Sequence, residues 1–298
     1  MALTKKQFDI LVALEGKVAI VSQRDISAET GISLGSVNKT LSELCDLSFV
    51  KDGKITEAGI QALEPYRVKR AVFMAAGFGS RMVPITLNTP KPLVRIKGKR
   101  IIDSLLDAVV CAGIEEIYIV RGYLAEQFDQ LIKKYPQITF IENPVYNETN
   151  NISSAYYARH LLSNSYFLEA DLLLYNPKLI KKYQYSTNYI GVYTDRTEDW
   201  CFITDKNGIV KKLTIGGTNC VHMYGLSYWT TEDGERLARH IEDVYNNAPG
   251  GKERYWDQVA LDYFPSEYEI SVRPCLFSDI VEIDTFNELK KIDPNYAM

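Results

Sequence analysis

Apolar residues in the first part of the chain recur at helical spacing. Phe8, Leu11 and Leu14 mark one helix, and a capping serine at Ser33 opens another amphipathic stretch. Two short β-prone pieces then flank an Asp-Gly turn at 52–53, a pattern typical of a hairpin. Up to about residue 66 the chain is therefore expected to fold as helices followed by a hairpin.

From Arg70 onward the pattern changes to short apolar strands that alternate with helical stretches. The predicted strands lie at 71–74, 117–120 and 139–141, and the predicted helices at 102–111 and 124–134. Such alternation favours a parallel sheet with right-handed crossovers, in which ligands bind beyond the carboxyl ends of the strands. We predict an α/β fold, with a Rossmann-like, mixed but mostly parallel sheet over residues 67–298.

The order of elements in residues 1–66 resembles that of a small winged helix-turn-helix domain. The segment holds seven Lys and Arg against nine Asp and Glu, and its expected recognition helix offers only Lys39 beside Ser36 and Asn38. A DNA-binding face needs clustered positive charge. We therefore expect protein contact, homo-oligomer formation or regulation more than DNA binding, although a DNA-binding role stays open.

Composition narrows the class of protein. The chain has 298 residues, 46% of them hydrophobic, which is enough for a substantial core. It contains no long uncharged apolar run, so we expect a cytoplasmic location. Five scattered cysteines without CxxC spacing and only three histidines argue against a disulfide framework and a zinc site. The net charge of −4 argues against general affinity for nucleic acid.

The strongest chemical signal directly follows the first predicted strand of the α/β region. The segment 75–82 reads Ala-Ala-Gly-Phe-Gly-Ser-Arg-Met, and Thr-Pro-Lys-Pro-Leu follows at 89–93. Glycines let main-chain N–H groups approach phosphates, and the two cations suit a triphosphate. A tight strand-to-helix turn is the alternative. The nucleotide contacts expected here are Ala75, Ala76, Gly77, Gly79, Ser80, Arg81 and Lys91.

Acidic residues at two places favour a Mg²⁺ site. Asp171 follows a strand-like segment, and its hard carboxylate oxygen suits Mg²⁺ together with phosphate. Glu282 and Asp284 fall on one face of a short strand. A solvated edge strand, with Asp284 or Thr285 capping the next helix, explains that pair equally well.

The loop at 75–93 resembles the signature of sugar-nucleotide and related nucleotidyltransferases. Over residues 70–293 the chain resembles bacterial choline-phosphate cytidylyltransferases, which make CDP-choline from CTP and phosphocholine. Besides the loop, the stretches that carry the resemblance are 122–129, 146–151, 164–166, 169–171, 199–200, 255–257 and 282–284.

The resemblance implies roles for individual residues. Mg²⁺ would be held by Asp171, Glu282 and Asp284, and Lys91 and Arg81 would act on the phosphates. Asn151 and Ser154 would belong to the base and ribose pocket. The usual Asp-Ala-Asp is Glu-Ala-Asp here, and we expect only Asp171, not Glu169, to bind the metal.

Aromatic residues bear on the second substrate. A trimethylammonium group is best held by aromatic faces and a nearby carboxylate, which Trp200, Tyr255, Trp256 and Asp257 could supply. The resemblance implies an aromatic choline contact at Trp200, while Tyr255 and Trp256 could equally pack in the core.

The sequence therefore predicts a Mg²⁺-dependent cytidylyltransferase that forms CDP-choline and pyrophosphate. The nearest alternative is a cytidylyltransferase for 2-aminoethylphosphonate or a related phospho-amine, whose ammonium would prefer carboxylate and carbonyl acceptors. An alternative of another class is a winged-helix regulator that senses a nucleotide.

Overall fold

The computed structural model describes residues 2–296. Its chain forms two compact units. The first comprises the residues up to Arg67 together with Tyr183–Tyr185, and the second comprises Val68–Lys182 and the chain from Ser186 onward.

The first unit consists of four helices and a hairpin. The helices are α1 (Lys5–Leu14), α2 (Gln23–Thr30), α3 (Leu34–Asp46) and α4 (Glu57–Leu63), and strands β1 (Val50–Lys51) and β2 (Lys54–Ile55) pair antiparallel between α3 and α4. The turn of the hairpin has positive φ at Asp52 and Gly53, which suits a tight Asp-Gly turn. The helices pack through buried apolar residues that include Phe8, Leu11 and Val37. The assignment to the winged-helix class stays a prediction.

The second unit is built on a seven-stranded sheet. Its strands, in chain order, are β3 (Arg70–Met74), β6 (Glu116–Arg121), β7 (Ile138–Glu142), β8 (Ser165–Glu169), β10 (Asn188–Thr204), β11 (Val210–Trp229) and β12 (Ser271–Pro274), and its helices are α5 (Ile101–Cys111), α6 (Ile152–Ala158), α7 (Thr231–Asn247) and α8 (Phe286–Ile292). Two small antiparallel pairs, β4 (Arg95–Ile96) with β5 (Lys99–Arg100) and β9 (Leu172–Leu174) with β13 (Ile280–Glu282), lie outside this sheet.

The strand order of the large sheet is β12-β10-β11-β8-β3-β6-β7. Strand β3 is parallel to β6 and β8, and β6 is parallel to β7. Strand β11 runs antiparallel to β8 and to β10. The sheet is thus mixed and mostly parallel, which confirms the predicted α/β fold.

Alternation along the strands creates a core on each face of the sheet. Ala71 and Phe73 of β3 pack in one buried cluster and Val72 in the other, as expected for side chains with a period of two. The second cluster also contains the tryptophans Trp229 and Trp256. Because both faces are covered, the strand ends are left as the accessible part of the sheet.

Two elements differ from the sequence expectation. The segment predicted as a helix at 124–134 forms a 3₁₀ helix over Ala125–Leu131, after Leu124 adopts a left-handed conformation with φ of 47°. The long hairpin of β10 and β11, interrupted by several register shifts, was not predicted. Among the described residues, no helix is both long and apolar enough to cross a membrane.

Candidate active site

A cavity of about 740 Å³ opens at the carboxyl ends of β3 and β8. This is the edge at which an α/β sheet binds its ligands. The cavity is lined by every predicted site residue except Trp256, namely Ala75, Ala76, Gly77, Gly79, Ser80, Arg81, Lys91, Asn151, Ser154, Asp171, Trp200, Tyr255, Asp257, Glu282 and Asp284.

The loop after β3 forms one wall of the cavity. Gly79 has φ of 67°, a left-handed conformation that favours glycine, and a Cβ there would lie 3.1 Å from side-chain atoms of Lys91 and Thr86. The Thr86 hydroxyl donates a 2.9 Å hydrogen bond to the Gly79 carbonyl and so fixes the turn. A Cβ on Gly77 would meet no atom within 4 Å. The backbone at Gly77 is therefore open to close approach by a ligand.

Lys91 lies at the centre of the charged part of the cavity. Its ammonium Nζ is 2.6 Å from Asp171 Oδ2 and 2.9 Å from Asp284 Oδ1, and its side chain is only 9% exposed. Arg81 Nη2 lies 2.7 Å from the same Asp284 oxygen. Burial lowers the pKa of Lys91, but the two carboxylates outweigh burial and raise it well above its ordinary value. Lys91 is therefore a fixed cation at neutral pH.

The topology brings the three distant acids together. Asp171 immediately precedes β9, and β9 pairs antiparallel with β13 so that Leu172 is opposite Glu282. Asp284 follows two residues later, where Thr285 caps α8 through a capping box with Glu288. The hydroxyl of Thr285, not Asp284, therefore caps the helix, and the Asp284 carboxylate faces the two cations.

Glu169, which was not expected to bind the metal, lies in the same acidic group. One carboxylate oxygen from each of Glu169, Asp171 and Glu282 lies within 4.8 Å of the others. Burial, followed by the neighbouring carboxylates, raises the pKa of Glu169 and of Glu282 well above the ordinary range. Opposite Glu169, a Cβ on Gly225 would lie 2.5 Å from the Glu169 side chain, so only glycine leaves room for it.

The acidic group fits a divalent metal ion. Asp171 Oδ1 is buried without a hydrogen-bond partner among the described residues, while its other oxygen binds Lys91. Hard carboxylate oxygens are the donors that Mg²⁺ prefers. Mutual repulsion among the carboxylates would be relieved by a bound cation, so the chemistry of the donors and the unpartnered oxygen agree with each other.

A buried asparagine supports the wall formed by α6. Asn143 follows β7 and is 2% exposed, and its Nδ2 donates 2.9 Å hydrogen bonds to the hydroxyls of Ser153 and Ser154. The hydroxyl of Ser154 is thereby held at the cavity wall. Asn151 lies at the start of the same helix, and its Oδ1 accepts a 2.9 Å hydrogen bond from the backbone N–H of Trp256.

A second part of the cavity wall, the aromatic and acidic end, contains Trp200, Tyr255 and Asp257. The rings of Trp200 and Tyr255 meet edge to face, with centroids 5.5 Å apart and planes at 65°. Asp257 is 6% exposed and accepts a 2.6 Å hydrogen bond from the Tyr189 hydroxyl. Burial raises the pKa of Asp257 to about 7, an effect that the hydrogen bond from Tyr189 opposes. A small cation in this part of the cavity would thus have aromatic rings and a carboxylate in the surrounding wall.

Trp256 departs from the predicted ligand role. It is 1% exposed, and its ring packs against Phe167, Tyr189 and Trp229, with centroid distances of 5.1 to 6.3 Å. The side chain is part of the core below the cavity because adjacent residues at 255 and 256 point to opposite sides. Of the predicted aromatic residues, only Trp200 and Tyr255 reach the cavity.

Several residues of the cavity wall were missed. They are Met74, Pro92, Asn150, Glu169, Glu198, Asp199, Leu213, Ile215, Met223, Gly225 and Gln258. Four of them, from Leu213 to Gly225, come from β11. Because that hairpin was not predicted, no sequence signal could place them at the site.

Comparison with known proteins gives the class of this chain. Residues 70–192 match the nucleotidyl transferase family. Over 230 residues the chain is 37% identical to the 2-aminoethylphosphonate cytidylyltransferase of Lancefieldella rimae, covering 76% of this chain and 93% of that protein. It is 31% identical to the choline-phosphate cytidylyltransferase of Streptococcus pneumoniae, covering 75% of this chain and 96% of that protein.

A solved structure supports the same conclusion. The structure of CTP:phosphocholine cytidylyltransferase from Streptococcus pneumoniae matches with a TM-score of 0.70 at 29% identity, covering 77% of this chain and 99% of that one. Apo UDP-glucose pyrophosphorylase, at 14% identity and a TM-score of 0.58, shares the fold. The chain belongs to the nucleotidyltransferase family. Within that family it is a cytidylyltransferase, as are these two relatives, which it matches over more than nine tenths of their length.

Proposed function

We propose that this cytidylyltransferase joins CMP from CTP to a small phosphorylated amine, with phosphocholine as the expected substrate. The observation that carries the proposal is one cavity that contains an open backbone at Gly77, a fixed cation at Lys91, and an aromatic and acidic end at Trp200, Tyr255 and Asp257. Gly77 and Lys91 suit the phosphates of CTP, and the aromatic and acidic end suits the amine substrate.

The reaction is an in-line displacement at the α-phosphorus of CTP. An ionised phosphate oxygen of the amine substrate forms the new P–O bond, and the bond to the β-phosphate breaks to release pyrophosphate. Since the attacking oxygen is already ionised, no strong general base is needed. The work of the protein is positioning and charge neutralisation.

The cations and the loop take different parts in this reaction. Lys91 and Arg81 would stabilise negative charge on the transferring and leaving phosphates. The backbone of residues 75–80 would bind the triphosphate, and Asn151 and Ser154 the base and ribose. Lys91 is well placed for its part because its two aspartate partners hold the ammonium fixed at the cavity wall.

A divalent cation, Mg²⁺ in our proposal, would be held by Asp171, Glu282 and Asp284, with the carboxylate of Glu169, which forms one group with Asp171 and Glu282, beside it. When bound it supplies positive charge that screens the phosphates and helps orient them. The unpartnered Asp171 oxygen supports this role. Asp284 would then be shared with Lys91 and Arg81, which bind it in the absence of the ion.

The second candidate substrate is 2-aminoethylphosphonate. It is favoured by the carboxylates Glu198, Asp199 and Asp257 at the aromatic end, which could accept hydrogen bonds from a primary ammonium. The Lancefieldella rimae relative carries the name of this activity. The aromatic pair favours phosphocholine instead, because a quaternary ammonium has no N–H to donate.

Pyrophosphate release tests the proposal. The wild-type protein would be assayed with CTP or UTP against phosphocholine, 2-aminoethylphosphonate and glucose 1-phosphate. Turnover with CTP and one of the amines is expected to vanish in Asp171→Ala and to persist in Asp195→Ala, an exposed carboxylate that does not line the cavity. Lack of turnover with every pair, in folded protein that binds CTP, would support the nucleotide-sensing alternative.

Trp200→Ala separates the two amines. Loss of a cation–π contact of about 1.4 kcal/mol would raise the KM for phosphocholine about tenfold. The KM for 2-aminoethylphosphonate should change much less, because its ammonium depends on carboxylates. Equal effects on both substrates would contradict the aromatic role of Trp200.

A further inference from the structure

The loop at 150–151 and the segment 252–257 are joined by three hydrogen bonds. Asn150 donates its backbone N–H to the Lys252 carbonyl at 2.8 Å and its side-chain Nδ2 to the Glu253 carbonyl at 3.2 Å. The backbone N–H of Trp256 donates a hydrogen bond to Asn151 Oδ1 at 2.9 Å. The loop is thus hydrogen-bonded to Lys252, Glu253 and Trp256, in the segment that carries Tyr255 and Asp257.

These hydrogen bonds matter because the segment 252–257 has little regular structure of its own. A 3₁₀ turn over Gly251–Glu253 is followed by extended backbone at Arg254. The N–H groups of Tyr255 and Trp256 are bound by side chains, those of Gln258 and Asn151, and not by a neighbouring strand. Loss of the Asn151 oxygen would leave the Trp256 N–H without its partner, at the centre of the segment.

The side chain of Trp256 cannot replace this contact. It anchors one side of the segment in the core, where it is 1% exposed. The peptide plane before Trp256 sets the direction of the 42% exposed Tyr255. It is held at both polar atoms: the Tyr255 carbonyl accepts a 3.1 Å hydrogen bond from the Gln258 backbone N–H, and the Trp256 backbone N–H donates to Asn151 Oδ1. Of these two contacts, only that of Asn151 comes from a distant part of the chain.

Asn151 also has a second polar group for a ligand. Among the described residues, no hydrogen bond is formed by its Nδ2, and the residue lines the cavity beside Ser154. One amide can therefore bind the nucleotide with its nitrogen while its oxygen holds the amine-binding segment.

We propose that Asn151 is a positioning residue that aligns Tyr255 and Asp257 for the amine substrate. The inference rests on the proposed function, because it assigns the two ends of the cavity to CTP and to the amine. It adds that the side-chain amide of Asn151, assigned to the nucleotide pocket, also holds the segment that carries Tyr255 and Asp257.

Two variants separate the two halves of the amide. Asn151→Ala removes both polar atoms, and Asn151→Asp keeps an oxygen acceptor but loses the nitrogen donor. Both should weaken CTP binding, measured by calorimetry without the amine. At saturating CTP, only Asn151→Ala should raise the KM for the amine, by about tenfold, as expected for one lost hydrogen bond. Asn151→Asp should stay within about threefold of wild type, as should the exposed control Asn247→Ala.

Amide hydrogen exchange gives a readout that does not depend on turnover. The Trp256 amide should exchange faster in Asn151→Ala than in Asn151→Asp or the wild type. Unchanged exchange in Asn151→Ala, or equal KM values for the amine in both variants, would overturn the inference. Absence of wild-type turnover would instead contradict the proposed function, while exchange at Trp256 still decides whether Asn151 holds the segment.

Discussion

Replacing Lys91 by methionine tests the charge arrangement of the site. The ammonium forms ion pairs of 2.6 Å with Asp171 and 2.9 Å with Asp284, and methionine keeps the apolar stem without the charge. Two neighbouring carboxylates would then lack their shared cation. The variant should therefore be less stable than the wild type and should bind a divalent cation more readily.

The size of the effect follows from the burial of the three side chains. Removing one partner of a buried ion pair costs about 3 to 5 kcal/mol. Asp171 and Asp284 retain 20% and 22% of their side-chain exposure, so water can solvate them in part and we expect the lower end, about 3 kcal/mol. If Mg²⁺ then binds tenfold more tightly to the variant, saturating metal returns about 1.4 kcal/mol of this loss.

Urea unfolding followed by tryptophan fluorescence measures this loss. All three tryptophans, Trp200, Trp229 and Trp256, lie in the unit that contains the site, so their signal reports its unfolding. Neutral pH is suitable because the pKa of Lys91 is raised: the stabilisation is complete below the ordinary lysine pKa and is lost only as the pH rises above it.

The control for this experiment is Lys133→Met, which removes an exposed lysine. Without metal, Lys91→Met should unfold at a clearly lower urea concentration than the control. Added Mg²⁺ should reduce the difference between the two urea midpoints. Equal midpoints without metal would refute the assigned role of the ion pairs. A difference in midpoints that Mg²⁺ leaves unchanged would contradict a metal site that shares Asp171 and Asp284 with Lys91.

Three further predictions concern Asp257 at the amine end of the cavity and Trp256 in the core beside it. Because burial raises the pKa of Asp257 to about 7, the KM for phosphocholine should fall as the pH rises from about 6 to about 8 and the carboxyl ionises; Asp257→Asn should flatten the profile relative to wild type. The same raised pKa makes folding stability decrease as the pH rises from the ordinary aspartate value towards 7, and Asp257→Asn should reduce that slope in urea titrations, with the remainder due to Glu169 and Glu282. Trp256→Ala should cost about 3 to 5 kcal/mol of unfolding free energy as a core cavity, and a loss below about 1 kcal/mol would contradict the assignment of Trp256 to the core.

The elements with strong local patterns could be predicted from the sequence. The strand at 70–74 and the loop after it were recognisable because an apolar run ends directly at the glycines and the cations that follow. The parallel sheet followed from the alternation of strands and helices. Helix α5 was predicted to within one residue of its observed start at Ile101.

Other features depend on tertiary context that a local pattern does not contain. Charged residues such as Arg196 and Glu198 interrupt the apolar alternation of β10, and a register shift occurs between Thr197 and Trp200, so no regular period marks the hairpin. The choice between Tyr255 and Trp256 as the cavity residue depends on which side of the segment faces the core. Sequence alone leaves both aromatic residues equivalent.

The ion pairs of the site show the same limit. Lys91 and Asp284 are 193 positions apart in the chain, and their contact depends on the pairing of β9 with β13. The sequence could nominate both residues by type and by family resemblance. It could not show that Asp284 binds Lys91 and Arg81, or that Glu169 lies beside Asp171 and Glu282.

The central claim is transfer of the cytidylyl group, and the fate of the phosphorus atoms tests it most directly. Parallel reactions would contain phosphocholine or 2-aminoethylphosphonate with CTP labelled with ³²P at either the α or the γ position. Attack at the α-phosphorus predicts that α label enters the amine product and γ label leaves as pyrophosphate. Label from the γ position in the amine product would reveal phosphoryl transfer instead and would contradict the account.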